Sequence, residues 1–314
     1  MNIKISSLSV VLPVGGVTSE HQTASDLCFD AAERIFKNTI EKKSEIGGIV
    51  YVGASPDYRS PATACVLQGR LGLSQDCFAF DLNQGGAGFS IGLKIAGSLA
   101  ASMTKKSILL LLGDTPSKWC DEETLQSLHL KDAGTAILIE ESDDVSIIES
   151  QISTWSEESH KLAINEGGFR LIESKTQEVD FLFQSASKYG RLKLSDKTAL
   201  DVNSILSRLG GLSSEGESQK WWLTGYFSDL LQNAVDDLDI PVGILKENYL
   251  GSSVPYVITQ NYRNCAIENI IIKFLEIGEG FVTAYSQIEI ESSAILPLSE
   301  SNLVFDNWEV DHQM

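Results

Sequence analysis

Positive charge is scarce in this chain: 24 Lys and Arg stand against 43 Asp and Glu over 314 residues, for a formal net charge of −19. Nucleic acids and anionic membrane surfaces are held mainly by Lys and Arg, so a field of this sign argues against both as partners. Long apolar runs are missing too. Ile108-Leu109-Leu110-Leu111-Leu112 is the longest clean one, far short of the roughly 20 residues that span a bilayer. Met1 leads into a strand-like segment instead of a basic, then apolar, leader, which predicts a cytoplasmic protein. Cysteine and histidine are few and scattered. Cys28, Cys65, Cys77, Cys120 and Cys265 form no C-x-x-C pair, and His21, His129, His160 and His312 have no ligand spacing, so no metal site, disulfide framework or cofactor is expected. Proline is rare, 7 residues beside 25 Gly, and with 43% apolar and 21% charged residues the composition is globular.

What is present is alternation. Ile3 to Leu12, Ile46 to Gly53, Phe78 to Leu82, Ser107 to Leu112 and Thr135 to Ile139 read as strands, and helical spacing marks Ala24 to Phe36, Pro61 to Leu71 and Gly88 to Ala101. Strands alternating with helices predict a largely parallel sheet covered on both faces. The pattern weakens from about Asp143 to Phe183, then returns. Helices are expected at Leu200 to Leu209, Phe227 to Val235 and Pro255 to Asn261, and strands at Trp221 to Thr224, Asn269 to Leu275 and Phe281 to Ile290. The similar element order of the two parts predicts a cryptic duplication: a first half over 1–145, a connecting segment over 146–185, a second half over 186–290 and an acidic extension over 291–314.

Phe80-Asp81-Leu82-Asn83-Gln84-Gly85-Gly86-Ala87-Gly88-Phe89 resembles the nucleophile segment of the thiolase-like enzymes, in particular 3-oxoacyl-acyl-carrier-protein synthase III. Ile46 to Gly53, Ser60-Pro61-Ala62-Thr63-Ala64, Leu109 to Asp114, Cys120-Asp121 and Asp132 to Leu138 resemble further segments of that family, and Gly278-Glu279-Gly280-Phe281-Val282 its closing glycine-rich turn. The resemblance implies a thiolase-like α/β fold, two similar halves in a five-layered αβαβα arrangement. It also implies a mechanism: a Cys thiolate at a helix N-terminus attacks an acyl thioester, and a His and an Asn from the second half stabilise developing negative charge.

Carried over by position, the three groups are absent. The Cys matches Gly86; the His matches Gly225, with Tyr226 beside it; the Asn matches Tyr249, with Asn248 one residue away. The family's coenzyme A clamp is missing as well, since Val14 to Gln22 is only a short linker. Ser90, one turn into the helix, could replace the nucleophile but has no His to deprotonate it. No catalytic residue is therefore expected.

The resemblance implies instead a non-catalytic subunit, similar to the chain-length-factor subunits of aromatic polyketide synthases and to the inactive subunit of the alkylquinolone synthase. Such a chain pairs with an intact ketosynthase III-like subunit and meets acyl carrier protein or acyl-CoA only through it. Candidate pocket or dimer contacts are Tyr58, Arg59, Ser60, Gly85, Gly86, Phe89, Cys120, Tyr226 and Asn248. The family's bulky residue before the helix-leading Pro crosses the dimer; here it is Ser60. Two alternatives stay open: a stand-alone acyltransferase using Tyr226, Tyr249 or backbone N–H groups, and a homodimeric protein that binds an acyl or other hydrophobic ligand.

Overall fold

The computed structural model describes residues 3–103, 107–120, 122–142, 148–156, 163–164, 181–182, 221–225, 242–265, 269–278 and 282–305. Its first sheet is built from β1 (Ile3–Pro13), β2 (Ile46–Val52), β3 (Phe78–Leu82), β4 (Ser107–Asp114), β5 (Ala133–Glu141) and the late strand β13 (Ser299–Ser301), in the order β13-β1-β5-β4-β2-β3. β2 lies parallel to both β3 and β4, whereas β5 is antiparallel to β4 and to β1. β2 and β4 are buried along their whole length, as expected of apolar runs covered on both faces.

The two-residue period of a strand sorts those runs. Ile49, Tyr51, Leu109 and Leu111 pack with helices α1 (Ala24–Asn38) and α2 (Thr63–Arg70). Val50, Val52, Leu110 and Leu112 face the opposite way, toward α3 (Gly88–Ala100). Local chemistry sets the helix starts. Thr23 donates its N–H to Asp26 at 2.9 Å ahead of α1, and the Asp81 carboxylate accepts the N–H groups of Thr63 and Ala64 at 2.7 and 2.8 Å at the start of α2.

The second sheet has the order β10-β9-β11-β12-β6, with β6 (Ile148–Thr154), β9 (Trp221–Gly225), β10 (Val242–Ile244), β11 (Asn269–Gly278) and β12 (Val282–Glu291). β9 is parallel to β10 and β11, while β12 is antiparallel to β11 and to β6. This repeats the first sheet strand for strand, with β6, β9, β10, β11 and β12 in the places of β1, β2, β3, β4 and β5. A minor ladder joins β7 (Ala163–Ile164) and β8 (Phe181–Leu182), and the short helix α4 (Glu122–Ser127) follows β4.

Helix α5 (Ser253–Tyr262) is the counterpart of α3, and the two form a layer between the sheets, where Phe89, Leu93, Val254, Val257, Phe274 and Ile288 share one core. Four layers are thus described: α1 with α2, the first sheet, α3 with α5, and the second sheet. The helices expected at 200–209 and 227–235 lie outside the described residues.

Two segments are placed by remote pairing. β6 falls inside the segment read as a connection, yet pairs with β12, so the second half begins at Ile148. The C-terminal extension folds back as far as residue 305. Leu296 donates its N–H to the Leu8 carbonyl at 2.8 Å, β13 adds parallel to β1, and the Phe305 ring lies 4.1 Å from the Arg70 guanidinium. In both places the pairing partner is remote in sequence, which periodicity does not register. No described helix is long and apolar enough to cross a membrane.

Candidate functional site

The turn from β3 into α3 carries the residues whose sequence resembles the nucleophile segment. Gly85, Gly86, Ala87, Gly88 and Phe89 are all buried. Gly88 donates its N–H to the Gly85 carbonyl at 2.8 Å, closing the turn immediately before the helix. Gly86 does not occupy the left-handed region. Phe89 packs edge-on against Phe274 at 6.1 Å between ring centroids and belongs to the core between the sheets.

Two elements of the second half close on this turn. A Cβ on Gly278, at the end of β11, would lie 2.4 Å from the Ala87 nitrogen, and one on Gly251 would lie 3.3 Å from the Gly85 carbonyl oxygen. Gly225 ends β9 at φ +88°, where a Cβ would meet the Ile277 carbonyl oxygen at 2.4 Å. No imidazole could be carried at that position without moving the backbone. Tyr226 lies outside the described residues, as do Glu279, Gly280 and Phe281.

Asn248 is 2% exposed. Its N–H donates to the His129 carbonyl at 2.8 Å, its carbonyl accepts from the Lys131 N–H at 2.9 Å, and its Oδ1 accepts from the Leu250 N–H at 2.9 Å. Its Nδ2 has no partner. An amide donor left unpaired in a buried site is what a ligand carbonyl would satisfy. Tyr249, the position matched to the family's Asn, instead stacks on Tyr256 at 4.4 Å, and burial pushes its phenol well above the ordinary value.

The structure also brings Glu276 to the site, which sequence reasoning did not single out. From β11 its Oε2 accepts the Ser90 N–H at 3.0 Å and the Ser90 hydroxyl, and Ser90 Oγ also lies 2.8 Å from Ser286 Oγ. All three side chains are fully buried. Burial raises the Glu276 carboxyl to about 8, against the lowering effect of hydrogen bonds from the Ser90 side chain and from the backbone of Ser90 and Phe89. The signal available in sequence was a lone acid in the apolar run Ile270-Ile271-Ile272-Lys273-Phe274-Leu275-Glu276-Ile277. Ser90 therefore has an acidic neighbour, but in a buried cluster with its oxygen already shared.

The other candidates lie on the surface. Tyr58 is 45% exposed, and Arg59 and Ser60 are exposed beside it in the loop leading to α2. Cys120 is half-buried, its N–H donating to the Pro116 carbonyl at 2.8 Å. The short linker over 14–22 is tied down: Thr18 donates both its N–H and its hydroxyl to Asp132, at 2.9 and 2.8 Å, and the Gln22 amide reaches the Ser301 and Leu303 carbonyls at 3.1 and 3.0 Å.

Residues 80–156 match the family model 3-oxoacyl-[acyl-carrier-protein (ACP)] synthase III. A putative 3-oxoacyl-[acyl-carrier-protein] synthase 3 of Campylobacter jejuni is 31% identical over 169 residues, 54% of this chain and 48% of the relative. A β-ketoacyl-[acyl-carrier-protein] synthase III of Natranaerobius thermophilus is 35% identical over 124 residues, 39% of this chain and 37% of the relative. These matches span about half the length of the curated relatives or less. In structure the likeness runs end to end. A 3-oxoacyl-(acyl-carrier protein) synthase from Burkholderia xenovorans superimposes with a TM-score of 0.77 at 21% identity, covering 96% of this chain and 97% of that one. OleA from Xanthomonas campestris, solved with lauric acid and lauroyl-CoA, gives a TM-score of 0.67 at 17% identity, covering 92% and 99%. The expected thiolase-like fold is thus the observed one, and the chain is related in sequence to the synthase III enzymes.

Proposed function

We propose that this chain, a relative of the ketosynthase III condensing enzymes, is a non-catalytic subunit that pairs with an intact member of that group and shapes its acyl pocket. One observation supports the reading: the turn that resembles the nucleophile segment in sequence is buried at the start of α3, and holds Gly86. Covalent acyl transfer needs an attacking atom, and glycine offers none. The partner supplies the Cys, the His and the Asn. The reaction served is Claisen condensation or acyl transfer on acyl thioesters, in fatty-acid-like or specialised metabolite synthesis.

The edge of the first sheet supports pairing. Among the described strands β3 pairs with β2 alone and ends the sheet, Phe78 is 51% exposed, and its ring lies 5.1 Å from that of Phe80. An apolar edge strand with an open ladder is a surface for another chain to continue. The exposed loop over 58–61 is the segment suited to reach across, and the small Ser60 before Pro61 would leave the partner's acyl tunnel wide. Replacing Ser60 by Phe in the assembled complex should shorten the acyl chains of the products; an unchanged product distribution contradicts the assignment.

A chain acting alone as an acyltransferase fits less well, because Ser90 is fully buried with its hydroxyl already engaged. The unpaired Nδ2 of Asn248 is compatible with a ligand carbonyl held in this chain's own cleft, as in a homodimeric binding protein.

A further inference from the structure

The cluster of Glu276, Ser90 and Ser286 is left without a role by the pairing function. We infer that the Glu276 carboxyl is a built-in occupant of the α3 N-terminus, filling from the second half the place where a charged nucleophile would be stabilised, so that this turn is closed to covalent chemistry by a feature independent of Gly86. The inference stands whether or not the chain pairs with a condensing enzyme.

The N–H groups of a helix's first turn have no partners within the helix, and they and the dipole favour an anion there. In α3 that acceptor is already present. Glu276 Oε2 takes the Ser90 N–H at 3.0 Å together with the Ser90 hydroxyl, and the Phe89 backbone also hydrogen-bonds to it. The placement is fixed from both sides. Gly278, two residues on, is packed so closely on the turn that a Cβ there would lie 2.4 Å from the Ala87 nitrogen. Ser286 on β12 holds the far side of Ser90 Oγ at 2.8 Å.

Ile272, Phe274 and Glu276 share the strand face turned to α3, so the acid breaks an apolar stripe at the position opposite the helix's first turn. Its register neighbours on either side, Thr224 and Ala284, carry no charge that could draw it elsewhere. Glu276 Oε1 has no partner. Gly86 is buried in the turn that leads to Ser90, so a thiolate there would meet a second charge once Glu276 ionises, at about 8. Two such groups cannot both ionise readily, and the one forced to stay protonated loses its reactivity.

The test restores the missing thiol in the full-length chain and compares Gly86→Cys with Gly86→Cys combined with Glu276→Gln. Iodoacetamide alkylation is followed against pH, with peptide mapping to separate position 86 from the native cysteines. With Glu276 present, the introduced thiol should titrate above about 8.5, the ordinary thiol value. With the near-isosteric Gln, which cannot ionise, it should titrate at least about one unit lower and react about tenfold faster at pH 9, where Glu276 is charged. If the Gln variant does not fold, Glu276→Asp, which withdraws the carboxyl by one methylene, supplies the comparison. Equal reactivity in the single and double variants overturns the inference. So does an acyl group found on Ser90 after the native chain is incubated with acyl thioester, because Ser90 and Glu276 would then be acting as nucleophile and base.

Discussion

Glu276 is a carboxyl whose proton affinity is set by burial, with a value raised to about 8 from 4.5. A group whose folded value is raised keeps its proton in the native state after the unfolded chain has lost it. Between pH 4.5 and pH 8 the native state therefore binds more protons, and stability falls as pH rises through that window. Glu276→Gln, which cannot ionise, should lose less stability than the native chain from pH 5 to pH 8 in parallel urea titrations; identical slopes would contradict the assignment. At this scale the sequence is uneven. The strand–turn–helix junction around Gly86 could be read because it is local, running from β3 through the turn into α3. Glu276 could not, because it meets Ser90 from 186 residues away. Asn248 was placed one residue from the matched position, and burial separates it from Tyr249: one presents an unpaired amide, the other a stacked ring.

At the scale of elements, α1, α2, α3 and the strands of the first sheet were legible from period and caps. β13 was not, because three residues have no periodicity and their pairing to β1 depends on the returning chain. That return is held by Arg70, whose guanidinium lies 2.8 Å from Asp26 and over the rings of Phe29 and Phe305, at 4.7 and 4.1 Å from their centroids. The side chains of Arg70 and Asp26 are only 4% and 3% exposed. Removing one member of a buried pair strands the other, so Arg70→Met should cost about 3 kcal/mol in chemical denaturation. Phe305→Ala, which removes one cation–π face, should cost about 1 kcal/mol and speed proteolysis of the C-terminal strap. Native stability and cleavage rate in both variants would show that the strap is held by something else.

At the scale of the molecule, the duplication suggested by element order is realised as two sheets of matching strand order around α3 and α5. Its start, β6, was hidden because an edge strand in a polar stretch carries a weak pattern. The net charge of −19 acquires a meaning at this scale as well. On the proposed pairing, this chain has no need to attract an acidic carrier protein, and a more basic partner would dock the carrier.

Pairing without acylation is the central claim, and native mass spectrometry tests it most directly. This chain would be co-expressed with an intact synthase III-like protein from the same genome, and the complex measured before and after addition of acyl thioester. The account predicts a complex of one copy of each chain that gains one acyl group, located on the partner's Cys. A homodimer of this chain, or an acyl group carried by this chain, would contradict it.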